Sequence, residues 1–226
     1  MSTYAIVLAG GSGQRMKSSG NKVLLSLENI PVLIRSILPF AKLCDGVILV
    51  IRPEDSSEIN SLISQFGFEK HIVSIVNGGI TRQDSVFEGL KALPVNATTV
   101  LVHDGARALV DEATIQRVLA SVSSVGSGVA AIPVTDTIKN ANSQGMVLNT
   151  IPREGLYAMQ TPQGFIASDL ISAHKSANSS QLQFTDDAAV MEYAGYPVHL
   201  TEGSRDNIKL TTPFDLTLAS VILKTK

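Results

Sequence analysis

Tyr4-Ala5-Ile6-Val7-Leu8, running directly into Ala9-Gly10-Gly11-Ser12-Gly13-Gln14-Arg15-Met16, is the stretch on which the reading of this chain turns. The apolar run makes a short strand, and the glycines end it abruptly. Gly10, Gly11 and Gly13 let the backbone take positive φ and come close to a ligand, so successive N–H groups can point at one anion. Arg15 and Lys22 then supply an always-charged guanidinium and a mobile ammonium, a combination better suited to a polyphosphate than to a carboxylate metabolite. The stretch reads as a nucleotide-triphosphate loop. A glycine-rich turn after a strand is also a common plain connection, so the loop alone leaves both readings open. No Gly-Lys-Ser/Thr follows as in a Walker loop, and Met16 stands where a dinucleotide fold has its third glycine.

Outward from this loop, strands and helices alternate. Gly46 to Ile51 is an unbroken apolar run that suits a parallel strand buried on both faces. Ile72 to Val76, Thr99 to Val102 and Val129 to Val134 read as further strands. The intervening helices run from Pro31 towards Lys42, from Glu54 to Phe66, through Val86 and Leu90, and from Asp111 through Val122. Val23 to Leu27 reads as extended, and Pro39 is expected to kink or shorten its helix. This is the pattern of an α/β fold, an open and mostly parallel twisted sheet with helices on both faces.

The rhythm breaks after Thr135. Residues 136–157 read as a protruding β-hairpin arm inserted into a single domain of residues 1–226. An isolated hairpin is marginal in water, so the arm is expected to pack on a second copy of the chain, giving a homodimer, rather than fold back on its own domain. Helices are then predicted from Ser168 to Ala177 and from Thr185 to Gly195. A strand from Val198 to Thr201 follows, and a final helix from Pro213 to Leu223 packs Leu216, Leu218, Val221 and Ile222 on the sheet.

With 226 residues, 44% of them hydrophobic, the chain can bury a sizeable core. A net charge of −2 gives no basic field for nucleic acid. The single Cys44 excludes an internal disulfide, and His71, His103, His174 and His199 are not spaced as metal ligands. No segment approaches the ~20 apolar residues that span a bilayer, so no membrane partner is expected and the cytoplasm is the default compartment.

Ligands of open α/β sheets bind beyond the carboxyl ends of the strands. Four polar strand ends meet that description: the Gly10 loop, Gly78-Gly79, His103-Asp104 and Thr135-Asp136-Thr137. Asp104 could hold Mg2+ or a substrate hydroxyl, or else cap a turn. His103 reads as structural. Asp186 and Asp187 read as first-turn residues placed by the helix dipole rather than as a metal pair.

Six blocks carry a family resemblance. They are the Ala9 to Met16 loop with Lys22, Gly78-Gly79-x-x-Arg82-x-Asp84-Ser85-Val86, His103-Asp104-Gly105-Ala106-Arg107, Asp136-Thr137-Ile138-Lys139, Gln160-Thr161-Pro162-Gln163 and Asn207-Ile208-Lys209. In this order, across nearly the whole chain, they resemble the cytidylyltransferases of isoprenoid synthesis. The resemblance implies a Rossmann-like fold and a reaction in which CTP and methylerythritol phosphate, a polyol phosphate, give the cytidine-diphospho product and pyrophosphate, with Mg2+ on the triphosphate. It implies that Arg15, Lys22 and Lys209 hold the reacting phosphates. Ala9, Gly10, Gly79 and Ser85 would read cytosine, with Gly11 and Gly105 near ribose and Gly13 in the nucleotide loop. Asp104 and Arg107 would contact the polyol phosphate, joined by Thr137 and Arg153 from the arm of the partner subunit.

The chain departs from the usual pattern at Gly10 and Gly105, where alanine is common, and at Asn21 and Ala108, where proline is usual. These changes are read as loosening the backbone, with residues 18–22 ordering on CTP. Two other readings stay open. A sister cytidylyltransferase acting on ribitol 5-phosphate shares several blocks, although Thr137-Ile138-Lys139 and Arg153 favour methylerythritol phosphate. A non-catalytic nucleotide-binding protein of the same fold is disfavoured by the retention of Arg15, Lys22 and Lys209 together.

Overall fold

A computed structural model describes residues 2–11, 21–180 and 182–225. The chain begins with β1 (Thr3–Leu8), and β2 (Ser26–Leu27) and β3 (Ile30–Pro31) then form a small antiparallel ribbon. Next come α1 (Val32–Leu43), β4 (Gly46–Ile51), α2 (Ser56–Gln65), β5 (Ile72–Asn77), α3 (Arg82–Lys91), β6 (Thr99–Asp104), α4 (Glu112–Val125) and β7 (Ser127–Pro133). The arm carries β8 (Ile138–Ala141) and β9 (Val147–Ile151) as its own two-stranded sheet. The chain closes with β10 (Tyr157–Ile166), α5 (Ala167–Ser179), α6 (Asp187–Tyr193), β11 (Leu200–Glu202) and α7 (Pro213–Thr225).

The main sheet has the order β11-β7-β10-β6-β1-β4-β5. All its neighbours run parallel except β10, which is antiparallel to both β6 and β7. The period-two alternation of each central strand divides the core. Ala5, Val7, Val47, Leu49 and Ile51 face α1, α2 and α4, where Leu33, Ile37, Phe40, Ile59 and Ile115 meet them. Ile6, Ile48, Val50, Val100 and Val102 face the other way, against Val86, Leu90, Leu170, Ala173 and Met191. Burial on both faces is what the unbroken apolar runs require.

Four expectations are corrected. Of the Val23 to Leu27 piece read as extended, Leu25 to Leu27 are extended, but Val23 and Leu24 belong to a 3-10 turn, Lys22–Leu24, capped by the Asn21 side chain. Pro39 lies inside α1, which runs on to Leu43 without shortening. Tyr157–Ile166, of which Gln160 to Gln163 reads in sequence only as a motif block with no strand assigned, is a central strand. Its Pro162 disguised it, but the proline falls within the irregularity between Met159 and Gln163, where no ladder hydrogen bond is needed. Lastly, α7 buries only Ala219 fully and packs Leu216, Ile222 and Leu223 on the core, whereas Leu218 and Val221 are exposed.

Candidate active site

The parallel strands β1, β5 and β6 deliver their carboxyl ends to one side, and the loops leaving them wall a cavity of about 540 Å³. Gly10, Gly11, Gly79 and Ser85 line it, together with Lys22, Arg82, Asp104, Lys209 and Thr211. The second glycine loop is set by a capping box. Thr81 Oγ1 accepts from the Asp84 N–H, the Asp84 carboxylate accepts from the Thr81 N–H, and Arg82 thereby becomes the first residue of α3, at the cavity wall. Ser85 Oγ donates to Thr81 O at 2.9 Å and accepts from the Gly79 N–H at 3.1 Å, which holds this loop against the helix. Gly105 has no room for a side chain, since a Cβ there would stand 2.9 Å from the Leu8 carbonyl oxygen.

Asp104 is the hub of the charge. Its Oδ2 is 2.7 Å from Lys209 Nζ and 3.9 Å from Arg107 Nε, and its Oδ1 accepts from Arg82 Nε at 3.4 Å. Burial by itself would raise the pKa of this carboxyl, but Arg82, Lys209 and Arg107 outweigh it and hold the group well below the usual carboxylate range. Arg82 also reaches away from the cavity, with Nη1 2.8 Å from Asp187 Oδ2 in a close ion pair that lacks a well-aligned hydrogen bond. Burial disfavours the Arg82 charge, yet Asp187 and Asp104 raise its pKa above the ordinary value. Asp187 is fully buried and also accepts from His174 Nε2 at 3.0 Å. Lys22, Arg82, Arg107 and Lys209 thus stand against the two carboxylates Asp104 and Asp187, and this excess of cations fits a polyanion.

His103 is structural, as its sequence context suggested. The Arg107 carbonyl oxygen, 3.3 Å from Nε2, can only accept, so Nδ1 of the neutral ring accepts from Thr161 Oγ1, which itself accepts from the Asp104 N–H. Those partners require the Nε2–H tautomer. Desolvation pushes the imidazole pKa down to about 3, so the ring is neutral.

The sequence-derived residues divide into groups. Gly10, Gly11, Lys22, Gly79, Ser85, Asp104 and Lys209 meet at the cavity. Ala9 lies beneath it, fully buried, with its N–H donated to Val50 O and its carbonyl accepting from Asn21. Gly105 is tied back by its N–H to Leu8 O, next to Ala106 on the cavity wall. Arg107 sits behind Asp104, donating to Asn207 O at 2.7 Å and to Met159 O at 3.4 Å. Gly13 and Arg15 lie outside the described residues, as does most of the 18–22 segment. Thr137 and Arg153 are on the exposed arm and do not line the cavity, and Arg153 Nη1 donates to Thr135 O. The 135–137 strand end is therefore not brought to the cavity, and its place is taken by Lys209 and Thr211 after β11.

Arg82 and Asp187 are the residues that sequence reasoning left without a role. A threonine cap followed by arginine at a glycine loop was a usable signal for Arg82, because a helix N-terminus already favours anions. Asp187 does stand in the first turn of α6, and it is in addition the buried counter-charge of Arg82. No local pattern announces it.

Among the described residues no group of three His, Cys, Asp or Glu side chains could enclose a metal ion. Among the described residues Asp104 is the one carboxylate lining the cavity. That donor set fits a magnesium ion carried mainly by substrate phosphates, not an all-protein cage.

Residues 3–225 match the family model described as 2-C-methyl-D-erythritol 4-phosphate cytidylyltransferase. A relative of that name from Microcystis aeruginosa is 41% identical over 97% of this chain and 98% of its own length. One from Bacillus velezensis is 42% identical, with 98% and 96% covered. Among solved structures, the 4-diphosphocytidyl-2C-methyl-D-erythritol synthase of Anaerococcus prevotii superposes with a TM-score of 0.86 at 30% identity, covering 99% of this chain and 96% of that one. The Thermus thermophilus 2-C-methyl-D-erythritol 4-phosphate cytidylyltransferase gives 0.80 at 31% identity, with 99% and 100% covered. With its whole length matched and the cation-lined cavity at the strand ends, the chain belongs to the 2-C-methyl-D-erythritol 4-phosphate cytidylyltransferase family.

Proposed function

We propose that this chain transfers the cytidylyl group of CTP to 2-C-methyl-D-erythritol 4-phosphate, releasing pyrophosphate, in the cavity bounded by the two glycine loops. An oxygen of the substrate phosphate attacks the α-phosphorus in line, the bond to the bridging oxygen breaks, and that oxygen leaves with its electron pair on pyrophosphate. No proton transfer to the protein is needed, so the residues act by alignment and by neutralising charge on the equatorial and leaving oxygens. Lys22 and Arg15 serve the triphosphate, and Lys209 reaches the reacting phosphates from the other side. Asp104 keeps Lys209 and Arg82 converged and turns its remaining lone pairs to a hydroxyl of the polyol phosphate, with Arg107 behind it. Backbone groups of Gly10 and Gly79, with Ser85, face the base. Mg2+, when bound, would neutralise triphosphate charge, with Asp104 as the carboxylate within reach.

The whole chain acts as one nucleotidyltransferase domain of the cytoplasm, and the arm of residues 136–157 joins two copies, bringing Thr137 and Arg153 to the partner's substrate. Support for this comes from the exposed apolar side chains Met146, Val147 and Leu148 on the arm. The observation that carries the reading is the convergence of Lys22, Arg82 and Lys209 on one glycine-walled cavity around Asp104. Pyrophosphate release measured with CTP and either methylerythritol phosphate or ribitol 5-phosphate tests it. Turnover with the first substrate is expected. Turnover only with ribitol phosphate would reassign the substrate, and none with either would leave a nucleotide-binding protein.

A further inference from the structure

Asn21 immediately precedes Lys22 and is only 1% exposed. A buried amide needs partners, and this one has three. Nδ2 donates to Ala9 O at 2.6 Å and to Asp55 Oδ2 at 2.7 Å, and Oδ1 accepts from the Val23 N–H at 3.3 Å. Ala9 is the residue at which the nucleotide loop leaves β1, and Asn21 caps the 3-10 turn at which it returns. Asp55 is in turn gripped by two nitrogens of Arg52, at 2.7 and 2.8 Å, directly after β4. The Arg52 stem passes under Gly10, its Cγ lying 3.7 Å from where a Cβ on that glycine would stand. Both ends of the loop are thereby tied to each other and to the end of a buried central strand.

We propose that Asn21, held by Asp55 and Arg52, is a positioning residue that closes the base of the nucleotide loop and fixes where Lys22 enters the cavity. At Asn21 itself the backbone is held rather than loose, because the amide supplies in hydrogen bonds what a ring would supply in fixed φ; residues 18–20 lie outside the described residues. Asn21 has φ −70°, within the range a proline ring imposes, and ψ 122°, which a proline can adopt, so the two residues are alternative solutions for one backbone. A lysine ammonium rides on a flexible four-carbon stem, so the backbone it starts from governs which phosphate oxygens it can reach. A misplacement of about 1 Å at such a group can lower turnover by roughly a hundredfold.

The inference rests on Lys22 serving the triphosphate. Steady-state kinetics with each substrate varied, alongside thermal melting, test it in Asn21→Ala, Asn21→Pro and Asp55→Asn. Asn21→Ala is expected to lower kcat by roughly tenfold to a hundredfold and raise the KM for CTP, leaving the KM for the polyol phosphate unchanged. Asp55→Asn should move both constants in the same direction, and Asn21→Pro should recover most of the kcat that alanine loses. A kcat and CTP KM in Asn21→Ala within about twofold of the unaltered enzyme would overturn the proposal, since that is far below the cost of a misplaced group. So would a loss shared equally by both substrates that a folded Asn21→Pro does not recover. If the alanine variant does not fold, the proline variant decides, with a kcat within about threefold of the unaltered enzyme supporting the proposal and a larger loss rejecting it. Undiminished turnover in Lys22→Ala would instead remove the premise, an outcome distinct from an inactive Lys22→Ala beside an unaffected Asn21→Ala.

Discussion

Lys209 and Lys22 approach the cavity from different elements, and in the proposed mechanism both act on charge that develops only as phosphorus becomes five-coordinate. Removing one such donor typically costs ~2.7 to 4 kcal/mol of transition-state stabilisation, so Lys22→Ala and Lys209→Ala should each lower kcat by roughly a hundredfold or more. Melting temperature should barely move for Lys22→Ala, and turnover near the unaltered level in either variant would remove that lysine from the mechanism. His103 sets a pH dependence of stability. Its pKa is about 3 in the fold, against an ordinary imidazole value of ~6.5 in the unfolded chain. The unfolded state therefore binds the extra proton, and stability is lost as pH falls from about 6.5 towards about 3, at roughly 1.4 kcal/mol per pH unit. Asp104, whose pKa is lowered in the fold, adds to this only below its unfolded value of ~3.9, where its stabilisation is lost. Melting measured from pH 7.5 down to 4 should show the decline, and His103→Gln should flatten it. An unchanged slope in that variant would assign the effect to other groups.

At the scale of elements, β10 is the piece that converts a set of parallel units into a site. It places Thr161 against His103 and the Asp104 N–H, and Gln163 Oε1 against the N–H groups of Asp187 and Ala188. Its packing against α4 is close. A Cβ on Gly164 would stand 2.6 Å from Val118 Cγ1 and 2.7 Å from Leu101 Cδ2, both in the buried core. Gly164→Ala should therefore lower stability by about 1 to 3 kcal/mol, read from denaturant melts. A variant as stable as the original would mean that the helix and strand separate without cost. Asp187→Asn removes the buried counter-charge from Arg82, and breaking such a pair typically costs ~3 to 5 kcal/mol. Because Arg82 keeps Asp104 as a second partner, the lower end of that range is expected. The parallel strands and their helices were legible in sequence because each repeats a strong local period. β10 was not, because Pro162 and Gly164 erase that period and only the neighbours β6 and β7 supply the pairing.

For the whole molecule the arm is the decisive piece. Among the described residues it forms a two-stranded sheet separate from the main one and exposes Met146, Val147 and Leu148. A lone hairpin of that kind is stable only when something covers it. Sedimentation should find a dimer, and deleting residues 138–151 should give a monomer with the main sheet intact. Mixing Arg153→Ala with Lys22→Ala chains should restore activity in the mixed dimers, because one of the two sites then has both residues intact. The absence of recovery would mean that each arm serves its own subunit.

The sequence by itself determined the α/β class, the glycine loops at strand ends, the cations Lys22 and Lys209, and the hairpin, because each is written in short-range periods, glycines or charge. Tertiary structure alone decided that Asp104 binds Lys209, Arg82 and Arg107 at once, that Asp187 is a buried counter-ion, and that the buried Asn21 amide is held by Ala9 and Asp55. The physical reason is common to all three. A polar side chain taken out of water must be met by partners from elsewhere in the chain, and which partners arrive depends on strand order and packing that no local run of residues encodes.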